Sequence, residues 1–257
     1  SPDLVLLQET NDVWERALVE TLGARFPHHR FAGPDSRWLA YSKNTPNNLK
    51  SIFIYDSKSG VTRRVTTDFY NDNGPVFDPE GKYLYFYSDR GFSPVYGDMD
   101  DTWVYPNSTQ VYALTLKTDT ASPLAPRNDE EYSPAKDAQK ENAGKDGAVL
   151  IDFDGIEERA VKIPVDAGNF GPLNAAKGRI VYLRFPPAGS AEDPPNGTLQ
   201  FFDLGDRKEK SVITGISDYA LSSNGAKTLY RSGDTYGIID VSEGKNPGDG
   251  RIDLGGM

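Results

Sequence analysis

A phrase that repeats along the chain constrains the fold more than any other feature of this sequence. It consists of a turn of Pro, Asp, Asn or Gly residues, a basic residue, and alternating apolar residues that end in an aromatic. The copies read GPDSRWLAYSKN from Gly33, DPEGKYLYFYSDR from Asp78, SSNGAKTLYRSGD from Ser222 and, more weakly, AAKGRIVYLRF from Ala175. Because turns of this composition lead directly into strands, the phrase predicts the start of a recurring β unit.

A second phrase follows the first and has the pattern of a β-hairpin. It contains a strand rich in β-branched and aromatic residues, a polar turn and another strand, with copies that begin at Ser51, Gln110, Leu199 and Tyr236. The two phrases give about four short strands per unit, at a spacing of about 45 to 50 residues. The predicted fold class is therefore all-β, a β-propeller of four-stranded antiparallel blades with WD40-like repeats.

The repeat spacing gives about five to six blades. The stretch between Pro79 and Lys177 is about twice the usual spacing, so we expect an extra blade there. Its hairpin would pair residues 149–153 with residues 159–163 around Asp154 and Gly155.

The chain is expected to be one propeller domain or propeller segment over residues 1–257. Residues 1–30 match the repeat poorly and are interpreted as a degenerate N-terminal blade remnant. Residues 126–147 are charged and poor in apolar side chains, which predicts a mobile polar loop. Since the sequence opens inside a repeat, the absence of a signal peptide decides nothing; a cytoplasmic location is favoured, and export stays open.

Composition excludes several classes of site. The net charge of −10 argues against a nucleic-acid-binding surface, and the absence of cysteine excludes disulfides, thiolate zinc sites and a cysteine nucleophile. No apolar run approaches the ~20 residues that span a bilayer, so no membrane segment is predicted. No cofactor is predicted. The acidic balance favours basic or neutral peptides over acidic ones at low salt.

The segment from Gly91 to Thr109 is a long insertion that carries the candidate binding residues. Aromatic side chains on an irregular loop either cover the end of a blade or bind a peptide; packing is favoured here. The aromatic candidates are Phe92, Tyr96, Trp103 and Tyr105. Three carboxylates in the same insertion could bind Ca²⁺, but the complete calcium-loop pattern is missing, so a solvated acidic loop is favoured. These metal candidates are Asp98, Asp100 and Asp101.

Catalytic chemistry is not predicted for this chain. A serine-type hydrolase needs a nucleophile, a base and an orienting group in one place. The only histidines are the neighbours His28 and His29, and no G-x-S-x-G elbow is present. We therefore assign no catalytic residue.

Three stretches in the middle of the chain resemble the tricorn protease family. They are YFYSDRGFSPVYGD from Tyr85, VYALTLKTDTASPLAPRNDEE from Val111 and IDFDGIEERAVKIPVDAGNFGPL from Ile151; the resemblance extends roughly from Phe31 to Met257. It implies the second propeller of a tricorn-like serine peptidase, a seven-bladed ring with an axial channel for peptides. The repeat count falls short of seven blades, so closed and incomplete rings both stay open. The resemblance also places a PDZ-like domain and the serine nucleophile downstream of this region.

Three functional hypotheses follow. The first is a non-catalytic propeller segment that guides or filters peptides toward a catalytic region outside this chain. The alternatives are a TolB-like protein-interaction propeller and the propeller of a prolyl-oligopeptidase-like hydrolase. The expected partners are peptides or the other domains of the parent peptidase, with homo-oligomers formed through that parent protein.

Overall fold

The computed structural model describes residues 37–91, 107–126, 149–187 and 196–253, and the backbone of three strands at 29–32, 95–97 and 102–104. The chain divides into two compact units. The first comprises the described residues up to Tyr85 and those from Tyr112 to Val161; the second comprises those from Phe86 to Val111 and from Lys162 onward. The predicted blade remnant at 1–30 and the predicted loop at 126–147 lie almost wholly outside the described residues, so both stay predictions.

The first sheet belongs to the first unit and has four antiparallel strands in chain order. These are β1 (His29–Ala32), β2 (Trp38–Asn44), β3 (Lys50–Asp56) and β4 (Val61–Arg64). Trp38 and Ala40 alternate with Leu39 and Tyr41 along β2, and all four side chains are buried. Because alternate residues of a strand point to opposite faces, β2 is covered on both faces, as expected for a blade. All four residues of β4, the last strand of this sheet, are exposed.

The second sheet contains a hairpin inserted between two of its strands. In chain order the strands of this region are β5 (Asn73–Phe77), β6 (Tyr83–Ser88), β7 (Val95–Gly97), β8 (Thr102–Val104), β9 (Gln110–Thr115) and β10 (Ala160–Lys162). The sheet has the order β10-β9-β6-β5, while β7 and β8 pair with each other. The insertion predicted between Gly91 and Thr109 is therefore confirmed as an addition to one blade.

The extra blade expected from residues 149–163 is not formed. Residues 149–153 pair with no strand among the described residues. Residues 156–159 form a single 3-10 turn (Ile156–Arg159), the only helical element in that part of the chain. β10 follows this turn and completes the second sheet as its edge strand. The double spacing in the sequence thus reflects one blade with two long insertions. The apolar pattern IDFDG could not distinguish a strand from an extended segment outside any sheet.

The third and fourth sheets belong to the second unit. The third is a four-stranded antiparallel meander of β11 (Asn169–Ala176), β12 (Arg179–Phe185), β13 (Gly197–Asp203) and β14 (Lys208–Ile216). The fourth has three strands, β15 (Asp218–Leu221), β16 (Lys227–Ser232) and β17 (Thr235–Asp240). Four successive residues of β12 are fully buried, whereas β16 buries Thr228 and Tyr230 but leaves Leu229 exposed. The fourth sheet is therefore covered on one face only.

The turns that open the repeats are held by side-chain hydrogen bonds, as their composition predicts. The Lys82 backbone N–H donates to Asp78 Oδ2 at 3.2 Å, and the Ala226 N–H donates to Asn224 Oδ1 at 3.0 Å. Equivalent residues of two repeats thus cap the turn that enters the buried strand, which supports a structural role for both. No helix in the described parts of the chain is long and apolar enough to cross a membrane.

Candidate functional site

The insertion that carries the candidate binding residues is described only in part. Tyr96 of β7 lies directly opposite Trp103 of β8 in the strand register, so two of the four aromatic candidates share one hairpin. Phe92 and Tyr105 lie outside the described residues. The predicted packing role of these aromatic side chains and the alternative of peptide binding therefore both stay untested predictions.

The predicted metal candidates and one of the two histidines also fall outside the described residues. Asp98, Asp100 and Asp101 are in this group, as is His28. His29 lies on β1, where its backbone is paired with that of Tyr41. Within the described ranges, no cluster of three or more His, Asp or Glu side chains could hold a metal ion.

A cavity of about 310 Å³ lies in the first unit and forms the candidate site. Its two sides are the first sheet and the extended segment 150–153, with Lys117 beside them. The lining residues are Arg37, Trp38, Asp56, Ser59, Val61, Arg63, Lys117, Leu150, Ile151, Asp152 and Phe153. Apolar and charged side chains thus share one surface, as in most small-ligand sites.

Segment 149–154 is held in place by hydrogen bonds at both of its ends. The Trp38 indole N–H donates to the Val149 carbonyl at 2.7 Å, and the Asp152 N–H donates to the Leu116 carbonyl at 2.9 Å. The Arg159 guanidinium donates to the Asp152 and Asp154 carbonyls. The cavity wall is therefore fixed although it belongs to no strand, which lowers the entropic cost of binding against it.

Both carboxylates of the cavity are ionised at neutral pH. Arg37 forms a two-point ion pair with Asp56, at 3.0 Å and 2.8 Å. This hydrogen-bonded guanidinium holds the pKa of the Asp56 carboxyl well below its usual range. Two hydrogen bonds from Thr118, donated by the backbone N–H and the hydroxyl group, lower the pKa of the Asp152 carboxyl.

The cations of the cavity differ in how far they are already paired. Arg37 is neutralised by Asp56, and Lys117 lies 3.0 Å from Asp119. The Arg63 guanidinium stacks over the Phe153 ring at 4.5 Å and has no hydrogen bond or ion pair with the described residues. Among the described residues, Arg63 is thus the cation of this site without an ion-pair partner.

The cavity was not predicted from the sequence. Residues 149–153 were expected to be a strand, and Arg63 appeared only as one of two successive arginines in a hairpin strand. Strand alternation could have shown that only one of the two arginines can line a given site, because it places Arg63 and Arg64 on opposite faces of β4. Which of these faces meets segment 149–153 depends on the tertiary structure.

Comparison with known proteins identifies the family. The model of the tricorn protease second β-propeller domain matches residues 26–242. "Tricorn protease homolog 1" of Streptomyces coelicolor is 29% identical over 205 residues, which cover 76% of this chain and 19% of that protein. "Putative tricorn protease homolog 2" of the same organism is 29% identical over 226 residues, 82% of this chain and 19% of that protein.

Solved structures agree with the fold. The crystal structure of the tricorn protease aligns with a TM-score of 0.65 and 19% identity, covering 84% of this chain and 21% of that one. The chain spans about a fifth of the length of the curated relatives it matches. The predicted β-propeller fold and the predicted resemblance are both confirmed. Because the family model matches most of its length, the chain belongs to the family of tricorn protease second β-propeller domains.

Proposed function

We propose that this chain is a non-catalytic propeller segment of a tricorn-like serine peptidase, and that it binds peptides and guides them toward a catalytic region elsewhere in that protein. The match of the family model to residues 26–242 carries the proposal. The 310 Å³ cavity of the first unit supports it, because it combines exposed apolar side chains with a cation, Arg63, that has no ion pair with the described residues. We take the other domains of the parent peptidase as the second class of partner.

The non-catalytic part of the proposal rests on the chemistry that peptide hydrolysis requires. A serine nucleophile is activated by a base within hydrogen-bond reach. The chain contains two histidines, His28 and His29, and neither is among the residues that line the cavity. The cavity itself contains one hydroxyl, Ser59, and this hydroxyl donates to Asp56 Oδ2 at 3.0 Å. A carboxylate with a strongly lowered pKa is a poor base, so Ser59 is not an activated nucleophile.

The test is a paired measurement on the purified chain. A panel of fluorogenic peptides measures hydrolysis, and titration calorimetry with the same sequences in unlabelled form measures binding. We expect measurable binding and no turnover. Turnover that is lost in His28→Ala or His29→Ala would overturn the non-catalytic assignment. The absence of binding for every peptide would overturn peptide guidance and leave a role in docking the other domains.

A further inference from the structure

The free cation of the cavity has the geometry of a carboxylate receptor. The Arg63 guanidinium carbon lies over the Phe153 ring, 4.5 Å from its centroid, and the N–H donors of the group have no hydrogen-bond partner among the described residues. A guanidinium held in this way can donate two parallel hydrogen bonds to one carboxylate. The stacked ring also limits the orientations of the side chain, so less entropy is lost when a ligand binds.

Two exposed aliphatic side chains line the same cavity. Val61 is 46% exposed and Leu150 is 46% exposed, so both offer apolar surface to a ligand. Val61 precedes Arg63 by two positions on β4, so the two side chains are on the same face of the strand. The cavity therefore offers an apolar surface next to a cation.

The edge of β4 adds a backbone component. β4 is the last strand of the first sheet and pairs with β3 alone, so its outer edge presents main-chain groups without a strand partner among the described residues. An extended peptide can add to such an edge while its side chains reach neighbouring pockets. A short extended ligand is thus favoured over a compact one.

From these observations we propose that the cavity binds a carboxylate carried next to an apolar side chain on an extended peptide, with Arg63 as the carboxylate receptor and with Val61 and Leu150 as the apolar contacts. The carboxylate belongs either to the free C-terminus of the peptide or to an acidic side chain. This inference rests on the proposed peptide-binding function and specifies its ligand.

The charges of the cavity favour an anion over a cation. The cations and carboxylates at the cavity are equal in number, because Asp119 lies 3.0 Å from Lys117 and adds to Asp56 and Asp152. Asp56 and Asp152 already accept hydrogen bonds from Arg37 and Thr118, whereas Arg63 has no hydrogen bond or ion pair with the described residues. Arg63 thus supplies a local attraction that opposes the repulsion that the net charge of −10 exerts on acidic peptides. That repulsion is screened within about 8 Å at physiological ionic strength, where the contact within the cavity dominates.

The experiment is a calorimetric titration of the whole chain with three probes at physiological ionic strength. The first probe is an acetylated alanine peptide that ends in leucine with a free carboxylate, and the second is the same peptide with a C-terminal amide. The third is the amide form with one internal alanine replaced by glutamate beside the leucine. We expect the amide to bind about two- to fivefold more weakly than the free acid, as for a partly exposed charge pair. Tight binding of the third probe would assign the carboxylate to a side chain.

Arg63→Ala and Arg64→Ala form a matched pair of variants. Both remove one positive charge from an exposed position of β4, but Arg64 does not line the cavity and lies 3.7 Å from Asp68. We expect Arg63→Ala to abolish the difference between free acid and amide, and Arg64→Ala to preserve it. Leu150→Ser tests the apolar contact, since it should weaken binding of the leucine-ending probe more than of a glycine-ending one. The far-UV circular dichroism and the urea midpoint of each variant confirm that it is folded.

The outcomes separate this inference from the function on which it rests. If acid and amide bind equally well, and Arg63→Ala behaves like Arg64→Ala, the carboxylate assignment is wrong while peptide binding stands. If none of the probes binds, and the wider peptide panel also fails, both proposals are wrong. Loss of binding in Arg63→Ala that is equal for acid and amide also overturns the carboxylate assignment.

Discussion

Replacing Trp38 tests the link between the repeat phrase and the cavity. Its side chain is 5% exposed, and its ring lies 5.7 Å from the Phe153 ring between centroids. Burial of the first apolar residue of the phrase was predicted from the sequence and is confirmed. The indole N–H also donates to the Val149 carbonyl, which anchors the cavity wall.

The structure separates two contributions of this side chain. Trp38→Ala removes a buried aromatic ring and should lower the free energy of unfolding by about 3–5 kcal/mol. Trp38→Phe keeps most of the apolar contact but loses the hydrogen bond to Val149, which should cost about 1–2 kcal/mol. We therefore expect the order of stability to be the unsubstituted chain, then Trp38→Phe, then Trp38→Ala.

The assay is urea unfolding followed by far-UV circular dichroism, because a fluorescence signal would itself change when a tryptophan is replaced. Phe69→Ala is the matched control, since Phe69 belongs to the same unit and its side chain is 78% exposed. Its midpoint should equal that of the unsubstituted chain within error. If Trp38→Ala and Phe69→Ala shift the midpoint equally, the packing role of Trp38 is refuted.

Two further predictions concern the turns that open the repeats. Burial raises the pKa of Asp78 to about 6, so the folded state binds more protons than the unfolded state between about pH 4 and pH 6, and stability falls as the pH rises through this range. Asp78→Asn does not titrate, so its free energy of unfolding should exceed that of the unsubstituted chain by an amount that grows to about 3 kcal/mol between these pH limits. A difference in urea midpoints that stays constant over this range would contradict the prediction. Gly225 has φ of +68° and an added Cβ would overlap Ala176, whereas Gly178 has φ of +70° and open space. Gly225→Ala should thus cost about 3 kcal/mol and Gly178→Ala only about 1 kcal/mol, and equal thermal midpoints would argue against the close approach.

Most of the fold could be predicted because a propeller blade is a local structure. The turn at Asp78 and the alternating residues from Tyr83 specify their strand through contacts within one repeat. Residues 159–163 were assigned to the wrong sheet for the opposite reason. β10 pairs with β9 across the long segment that separates Thr115 from Ala160, and no local pattern encodes that partner.

The sequence by itself determined the all-β class, the position of the repeats, the insertion after β6 and the burial of Trp38, since each depends on turn chemistry and strand periodicity. Only the tertiary structure decided that segment 149–154 forms a wall instead of a strand. The wall is fixed by Trp38, Leu116 and Arg159, which are distant from one another in sequence. The pairing of Arg63 also depended on the fold. The sequence does not show which carboxylates lie near this side chain, whereas the structure brings none of the described ones into an ion pair with it.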